Sequence, residues 1–407
     1  MKNKNGTNGL RLTARFVVLY VALLAVFTLA MWGAYCIPVD AVRGNVASSE
    51  QQIIAELKTH ETYSAYLNMD YFTDGLMYSE TVTANDRAGA FHSAMLNRFF
   101  FNDSVTPAAT GREVALGNRT DARCVVYGRY WHGYIAPLKT VSLLMPLQGV
   151  RTLNYLLIGL LFVGCIVAIC RRRGVLAAIA FLTALTITFA FIMPSSPQYS
   201  SCLYITLASV LAVMVWTPRL ERNGNAYLLF FALGALTTFF DLLTAPLMTL
   251  GYALALYLYR SDIGDKYKTA TLICVAWAAG YGLLWASKWL LVSVFTDFSI
   301  FENIVNAAAT RIADPITWKP HYISHRVLPA YLIAIALTLG ASYLFGARLT
   351  ALRKSGWLLA VALLPLAWMA ILNNHTSTHF FFVWRIAGVT VLCCILYFFS
   401  AVKPDHE

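Results

Sequence analysis

Two carboxylates four residues apart are the first groups in this chain with chemistry to offer. In "NMDYFTDGLM", Asp70 and Asp74 share one side of a helix or tight turn. Such a pair suits a base that takes the proton of an acceptor hydroxyl, alone or with a divalent cation such as Mg or Mn. The plainer role is a helix cap beside a surface acid. In "YGRYWHGYIAPL", residues 127–138, Arg129, Tyr130, Trp131 and His132 stand together. Aromatic faces fit a sugar ring and the cationic groups an anionic leaving group, although Tyr and Trp also anchor proteins at a membrane boundary. Gln198 lies in "PSSPQYSS", and Asp241 interrupts a long apolar run at "FDLLTAP". A carboxylate at membrane depth costs ~2.5–3.5 kcal/mol on insertion scales, so Asp241 needs a partner or a watery cavity, unless it caps a broken helix. In "NHTSTHFFFVWR", residues 374–385, His375 and His379 precede Arg385. As a continuous helix this segment carries Arg385 ~9 Å inside the span that follows. A guanidinium there is paired either with Asp241 or with a ligand's anion. Lys288 can snorkel toward the same depth. Lipid phosphates lie at that depth, so Arg385, Lys288 and Arg129 form the candidate phosphate-binding set, with His375 and His379 as polar contacts above it.

The elements that must position these groups are membrane spans. The chain has 407 residues, 58% hydrophobic and only 13% charged, and its apolar runs of about 18 residues or more suit ~30 Å of hydrocarbon. These features predict an all-α polytopic membrane protein with about ten transmembrane helices, near 14–36, 152–170, 175–194, 199–217, 226–240, 243–259, 269–295, 328–346, 356–372 and 380–401. The first reads as an anchored helix, because no clear small-residue cleavage site follows it. The net charge of +11 is scattered through loops, which argues for topology and lipid headgroups and against nucleic acid. The cysteines lack metal-type spacing and most lie within apolar runs; only Cys36 and Cys124 are placed to meet in a disulfide outside the membrane. His321 and His325 have an i, i+4 spacing but no evident third metal ligand.

Short basic connections fall on one side if ten spans alternate, which makes that side, and both termini, cytoplasmic. The chain then divides into a tail and first span (1–37), a long extracytoplasmic loop (38–148) and a multi-span bundle (149–407). Within the long loop, "SEQQIIAELKTHETYSAYL" predicts an amphipathic helix opened by a Ser cap, and "DRAGAFHSAMLNRFFF" a second one along the headgroups. The same alternation gathers the long loop, "PSSPQYSS", "FDLLTAP", the segment from Phe295 to Arg326 and "NNHTSTH" on the outer face.

One anchored helix, a long outer loop with an acidic motif and juxtamembrane helices, then a bundle of further spans resembles the GT-C-fold glycosyltransferases. The resemblance covers most of the chain as architecture, and its motifs are "MDYFTD", "RYWHGY", "DLLTAP" and "NHTSTHFFFVWR". It implies an integral plasma (inner) membrane enzyme that moves a sugar from a polyprenyl-phosphate donor to an extracytoplasmic glycan, lipid or cell-wall acceptor by inversion. Asp70 or Asp74 would match the catalytic acid of the first loop and Arg385 a lipid-phosphate ligand. The spacing D-x-x-x-D departs from the strict acidic motif and leaves metal use open. The rivals are a transporter or flippase, for which a broken helix carrying Asp241 would line a path, and a non-catalytic membrane scaffold.

Overall fold

The computed structural model describes residues 3–59, 69–118, 121–312, 327–347 and 349–402. His321 and His325 lie outside the described residues, as does Tyr63 of the first amphipathic stretch. Among the described residues the architecture is helical apart from one two-stranded antiparallel ribbon.

The long first loop folds as a cap. Helix α1 (Asn3–Cys36) leads into α2 (Arg43–Thr59) and α3 (Tyr71–Thr81). α2 starts six residues before Ser49, whose hydroxyl donates back to the Asn45 carbonyl from inside the helix instead of capping it. The "DRAGAFHSAMLNRFFF" stretch is not one helix either. Its α4 (Ala90–Leu96) ends where Asn97 turns left-handed at φ 44°, and strand β1 (Arg98–Phe101) follows. After α5 (Pro107–Ala115), β2 (Arg123–Val126) pairs with β1, with Phe99 opposite Val125. Bulky aromatic and β-branched residues explain that choice of strand. α6 (Ile135–Ser142) closes the cap. Cys36 and Cys124 are both free thiols.

The bundle follows as α7 (Leu147–Arg173), α8 (Val175–Ile187), α9 (Pro197–Leu220), α10 (Asn225–Phe240), α11 (Leu247–Leu258) and α12 (Lys266–Phe295). Next come α13 (Ile300–Ile312), α14 (Leu328–Leu344), α15 (Leu349–Ser355), α16 (Trp357–Ala362) and α17 (Leu364–Ile371). The chain ends with α18 (Asn373–Thr378), α19 (Phe380–Val383) and α20 (Ala387–Val402). Six segments of the described residues are long and apolar enough to cross a membrane: 9–36, 147–173, 197–220, 266–295, 352–371 and 380–402. The helices α8, α10, α11 and α14 are apolar but shorter. All twelve residues of α11 are buried, the mark of a helix enclosed by its neighbours.

One close crossing, between α10 and α12, brings two backbones into direct contact. A Cβ on Gly234 of α10 would collide with the Trp277 carbonyl of α12, and one on Gly280 of α12 with the Phe231 carbonyl of α10. The two backbones therefore meet directly, as small residues allow between apolar helices. At one end of the bundle Arg173 donates to the carbonyls of Leu256, Tyr257 and Arg260, so its charge faces the negative C-terminal end of α11. Arg15 of α1 reaches the Asn223 carbonyl at that same end of the molecule. The opposite end gathers the loops that span alternation assigns to one face.

Candidate functional site

The site is built where α12, α13, α18 and the 127–134 segment meet. Arg129 is fixed through its backbone: the indoles of Trp285 and Trp289, one turn apart on α12, donate to its carbonyl at 2.6 and 2.9 Å. Its guanidinium lies 4.4 Å from the Tyr127 ring centre and 5.4 Å from that of Tyr130, and donates to Asn303 Oδ1 at 3.3 Å. Arg311 of α13 approaches the other way, 5.7 Å from the Tyr130 ring centre. Tyr130 itself stacks on Trp285. Such cation–π contacts hold a guanidinium without neutralising it. Among the described residues, no carboxylate forms a salt bridge with either arginine, and Nε of each is buried without a hydrogen-bond partner.

Both guanidiniums line two adjoining cavities. One, of about 420 Å³, has a polar wall that includes Asn303, Asn306, Asn374, His375 and His379. The other, of about 280 Å³, is apolar and aromatic, with Tyr130, Trp285, Trp289, Trp368 and Leu243 in its wall. Burial holds the His375 imidazole down at about 3 and that of His379 at about 4, with the Arg311 charge adding to each. His375 Nε2 lies 3.1 Å from the Leu243 carbonyl, which fixes that ring. The positive charge of the site at neutral pH therefore comes from the two arginines.

The two acids lie in a neighbouring network at the start of α9. Asp70 caps α3, accepting from Thr73 N at 3.0 Å and Thr73 Oγ1 at 2.7 Å. Asp74 Oδ1 accepts from Ser196 Oγ at 2.8 Å and from Gln198 N at 3.1 Å, so it caps α9 from outside. The network continues from the Gln198 amide to Thr244 Oγ1, and from Thr244 N to the Asp241 carboxylate. Asp74 is 1% exposed and its Oδ2 has no hydrogen-bond partner. Burial pushes the Asp74 carboxyl up to about 7 despite the stabilising bonds from Gln198 and Ser196, and the Asp70 carboxyl also upward. Arg385 belongs to this network's flank. Its guanidinium lies 4.6 Å from the Tyr199 ring centre, hydrogen-bonds Tyr199 and donates to the Phe381 carbonyl.

Several expectations about single residues are thereby corrected. Arg385 sits in a 3-10 turn between α19 and α20, fully buried, and lines neither cavity. The ring of Phe382 lies 5.2 Å from that of His379 and 6.3 Å from that of Tyr199. Lys288 does not snorkel outward: it is 0% exposed and donates to the Ala94 carbonyl and Asn97 Oδ1, where the C-terminal end of α4 draws its charge. His132 is no open sugar contact, because Nδ1 faces Glu80 and Tyr134 while Nε2 meets the Tyr127 carbonyl. Trp131 is buried and donates to the Leu284 carbonyl. Asp241 binds its own turn rather than facing a watery path. A divalent cation needs several oxygens around one point. Asp70 and one oxygen of Asp74 are already engaged, and no group of three or more His, Cys, Asp and Glu side chains converges among the described residues. The pair by itself does not fit a resident Mg or Mn site.

Sequence reasoning missed Arg311, Asn303 and Asn306. Their signal was a run of polar residues in α13, Asn303, Asn306, Thr310 and Arg311, among Ile, Val and Ala. Comparison with family models, curated proteins and solved structures returns no match for this chain, so the functional reading rests on the geometry of these arginines, acids and cavities.

Proposed function

We propose that the protein is an inverting membrane glycosyltransferase that moves a sugar from a polyprenyl-phosphate donor to an extracytoplasmic acceptor. In this reading it is a GT-C-like enzyme of the plasma (inner) membrane, with ten crossings and both termini in the cytoplasm. The observation that carries the proposal is the pair Arg129 and Arg311, which have no acidic partner among the described residues and line a polar and an apolar aromatic cavity at once. A ligand with an anion between a polar head and a hydrocarbon tail matches that arrangement, and a lipid-phosphate sugar is such a ligand.

In the reaction, an acceptor hydroxyl oxygen bonds to the anomeric carbon. The bond from that carbon to the phosphate oxygen breaks, and its electron pair leaves with the phosphate. The two guanidiniums stabilise the charge that develops there. The hydroxyl proton passes to Asp74, whose Oδ2 is unengaged, while Asp70 serves as the α3 cap. Against a transport path, α11 fills the interior beneath with twelve buried residues, none of them charged.

The test is incubation of the purified protein with a panel of radiolabelled polyprenyl-phosphate sugars. Arg129→Ala and Arg311→Ala should each lower transfer by at least about tenfold, the loss of one charged hydrogen bond. Arg311→Lys should recover only part of it, because an ammonium lacks the forked geometry. Undiminished transfer in both alanine variants would refute the assignment.

A further inference from the structure

A third cavity lies beside the residues that bind Asp74. It has a volume of about 280 Å³ and opens among α6, α7, α9 and α10, with Leu138, Val150, Leu153, Tyr204 and Phe240 in its wall. None of its lining side chains is charged, in contrast to the cavities that the arginines line. Its principal polar group is satisfied internally: the Asn154 amide donates to the Pro194 carbonyl and Ser200 Oγ and accepts from Tyr204. A wall of this kind neither attracts an anion nor calls for ordered water, and it gains most from a hydrocarbon chain.

The polar network runs between the cavities. Pro197 and Phe240, the sequence neighbours of Gln198 and Asp241, line this one, whereas Leu243, the neighbour of Thr244, lines the arginine side. Asp74 does not itself line the uncharged cavity, but two residues beside Asp74 do. Met77, three residues further along α3, lines it, and so does Pro197, which lies between the two residues that bind Asp74 Oδ1. The remaining oxygen of this carboxylate is buried and unpartnered. The helices α7 and α9 that flank the cavity are both long and apolar enough to span a bilayer, and the cavity lies near their N-terminal ends.

We propose that this cavity seats the hydrocarbon chain of a lipid-anchored acceptor and brings the acceptor's hydroxyl to Asp74 Oδ2. The inference rests on the glycosyltransferase reading and names its second substrate class: an uncharged chain here, a phosphate-bearing chain at the arginines. The hydroxyl gives its proton to Asp74 as its oxygen attacks the donor sugar, with the electron balance described above.

The probe is a long-chain fatty alcohol carrying a photoactivatable diazirine, added to the full chain in phosphatidylcholine nanodiscs, with cross-links mapped by mass spectrometry. The expected result is labelling centred on Val141, Leu153 and Tyr204 that excess dodecanol competes away. Ser201→Trp, which fills the cavity, and Val141→Trp, from the opposite wall, should each lower that labelling by at least about tenfold. Retained binding of farnesyl phosphate reports that these variants are folded. Labelling spread evenly over the lipid-facing helices, or unchanged in both variants, overturns the inference whether or not sugar transfer is observed. Transfer to water-soluble acceptors alone, with this labelling absent, overturns it and leaves the glycosyltransferase reading intact. Competed labelling in the cavity without transfer from any donor sugar refutes that reading, and the acceptor role falls with it.

Discussion

Asp74 is the residue at which burial and chemistry conflict most directly. Its carboxyl rises to about 7 because burial penalises the charge more than Gln198 and Ser196 favour it. Between the ordinary carboxylate value of 3.8 and about 7, the unfolded chain has released this proton while the folded chain keeps it. Stability from this group is therefore full at acid pH and is lost as pH rises through 7. Asp74→Asn removes the titration, so the melting temperature of the variant should gain on the parent between pH 5 and pH 8. Comparing variant with parent at each pH cancels the opposite trend from His375 and His379, whose depressed values make stability rise toward pH 6.5. A gap in melting temperature that stays constant with pH would show Asp74 to be charged throughout. The same titration limits catalysis: as the base, Asp74 works only once deprotonated, so transfer should climb through pH 7.

At the scale of elements, the helices that carry the site depend on one backbone crossing. Trp285 and Trp289 hold the Arg129 carbonyl from α12, and α12 is set against α10 by the reciprocal contacts of Gly234 and Gly280. Gly282 lies two residues from Gly280 on the same helix, yet nothing lies within 4 Å of where its Cβ would be. Gly280→Ala should therefore destabilise the protein by about 1–3 kcal/mol through overpacking. Gly282→Ala should be neutral or slightly stabilising, since alanine is the better helix former. Equal melting temperatures for the two variants would show that the crossing has slack. Donor binding should weaken in Gly280→Ala alone, as the indoles shift. Sequence spacing carried much of α10 and α12, because long apolar runs mark helices directly. It could not carry Lys288, whose partners Ala94 and Asn97 come from a distant part of the chain. Nor could it reveal that His132 would be enclosed by Glu80 and Tyr134. A polar side chain has the same spacing whether it faces a ligand or braces the fold, and only tertiary contacts separate the two.

For the whole molecule, the legible property was which loops share an end. Asn374 bonds the Thr310 carbonyl, His375 the Leu243 carbonyl, Gln198 Thr244, and Asp74 Ser196, so segments from five separate stretches converge as span alternation expects. The number of crossings was less legible, because a run's composition does not give its depth: α11 is twelve residues, or ~18 Å, and is wholly enclosed. The remaining question of sidedness has a direct chemical handle. Cys36 at the end of α1 and Cys124 in β2 are both exposed and lie at the site's end of the molecule, whereas Cys165, Cys202, Cys393 and Cys394 are buried. With the site extracytoplasmic, a membrane-impermeant maleimide added to intact spheroplasts should label Cys36 and Cys124, and the four buried thiols should react only after denaturation. Burial pushes the Cys124 thiol up, so its labelling should quicken as the pH is raised from 7 to 9, because the thiolate is the reacting form. Labelling of both cysteines only after the membrane is opened would put the arginines and acids on the cytoplasmic side. A donor entering from the outer leaflet could not then reach Arg129 and Arg311, whatever their geometry.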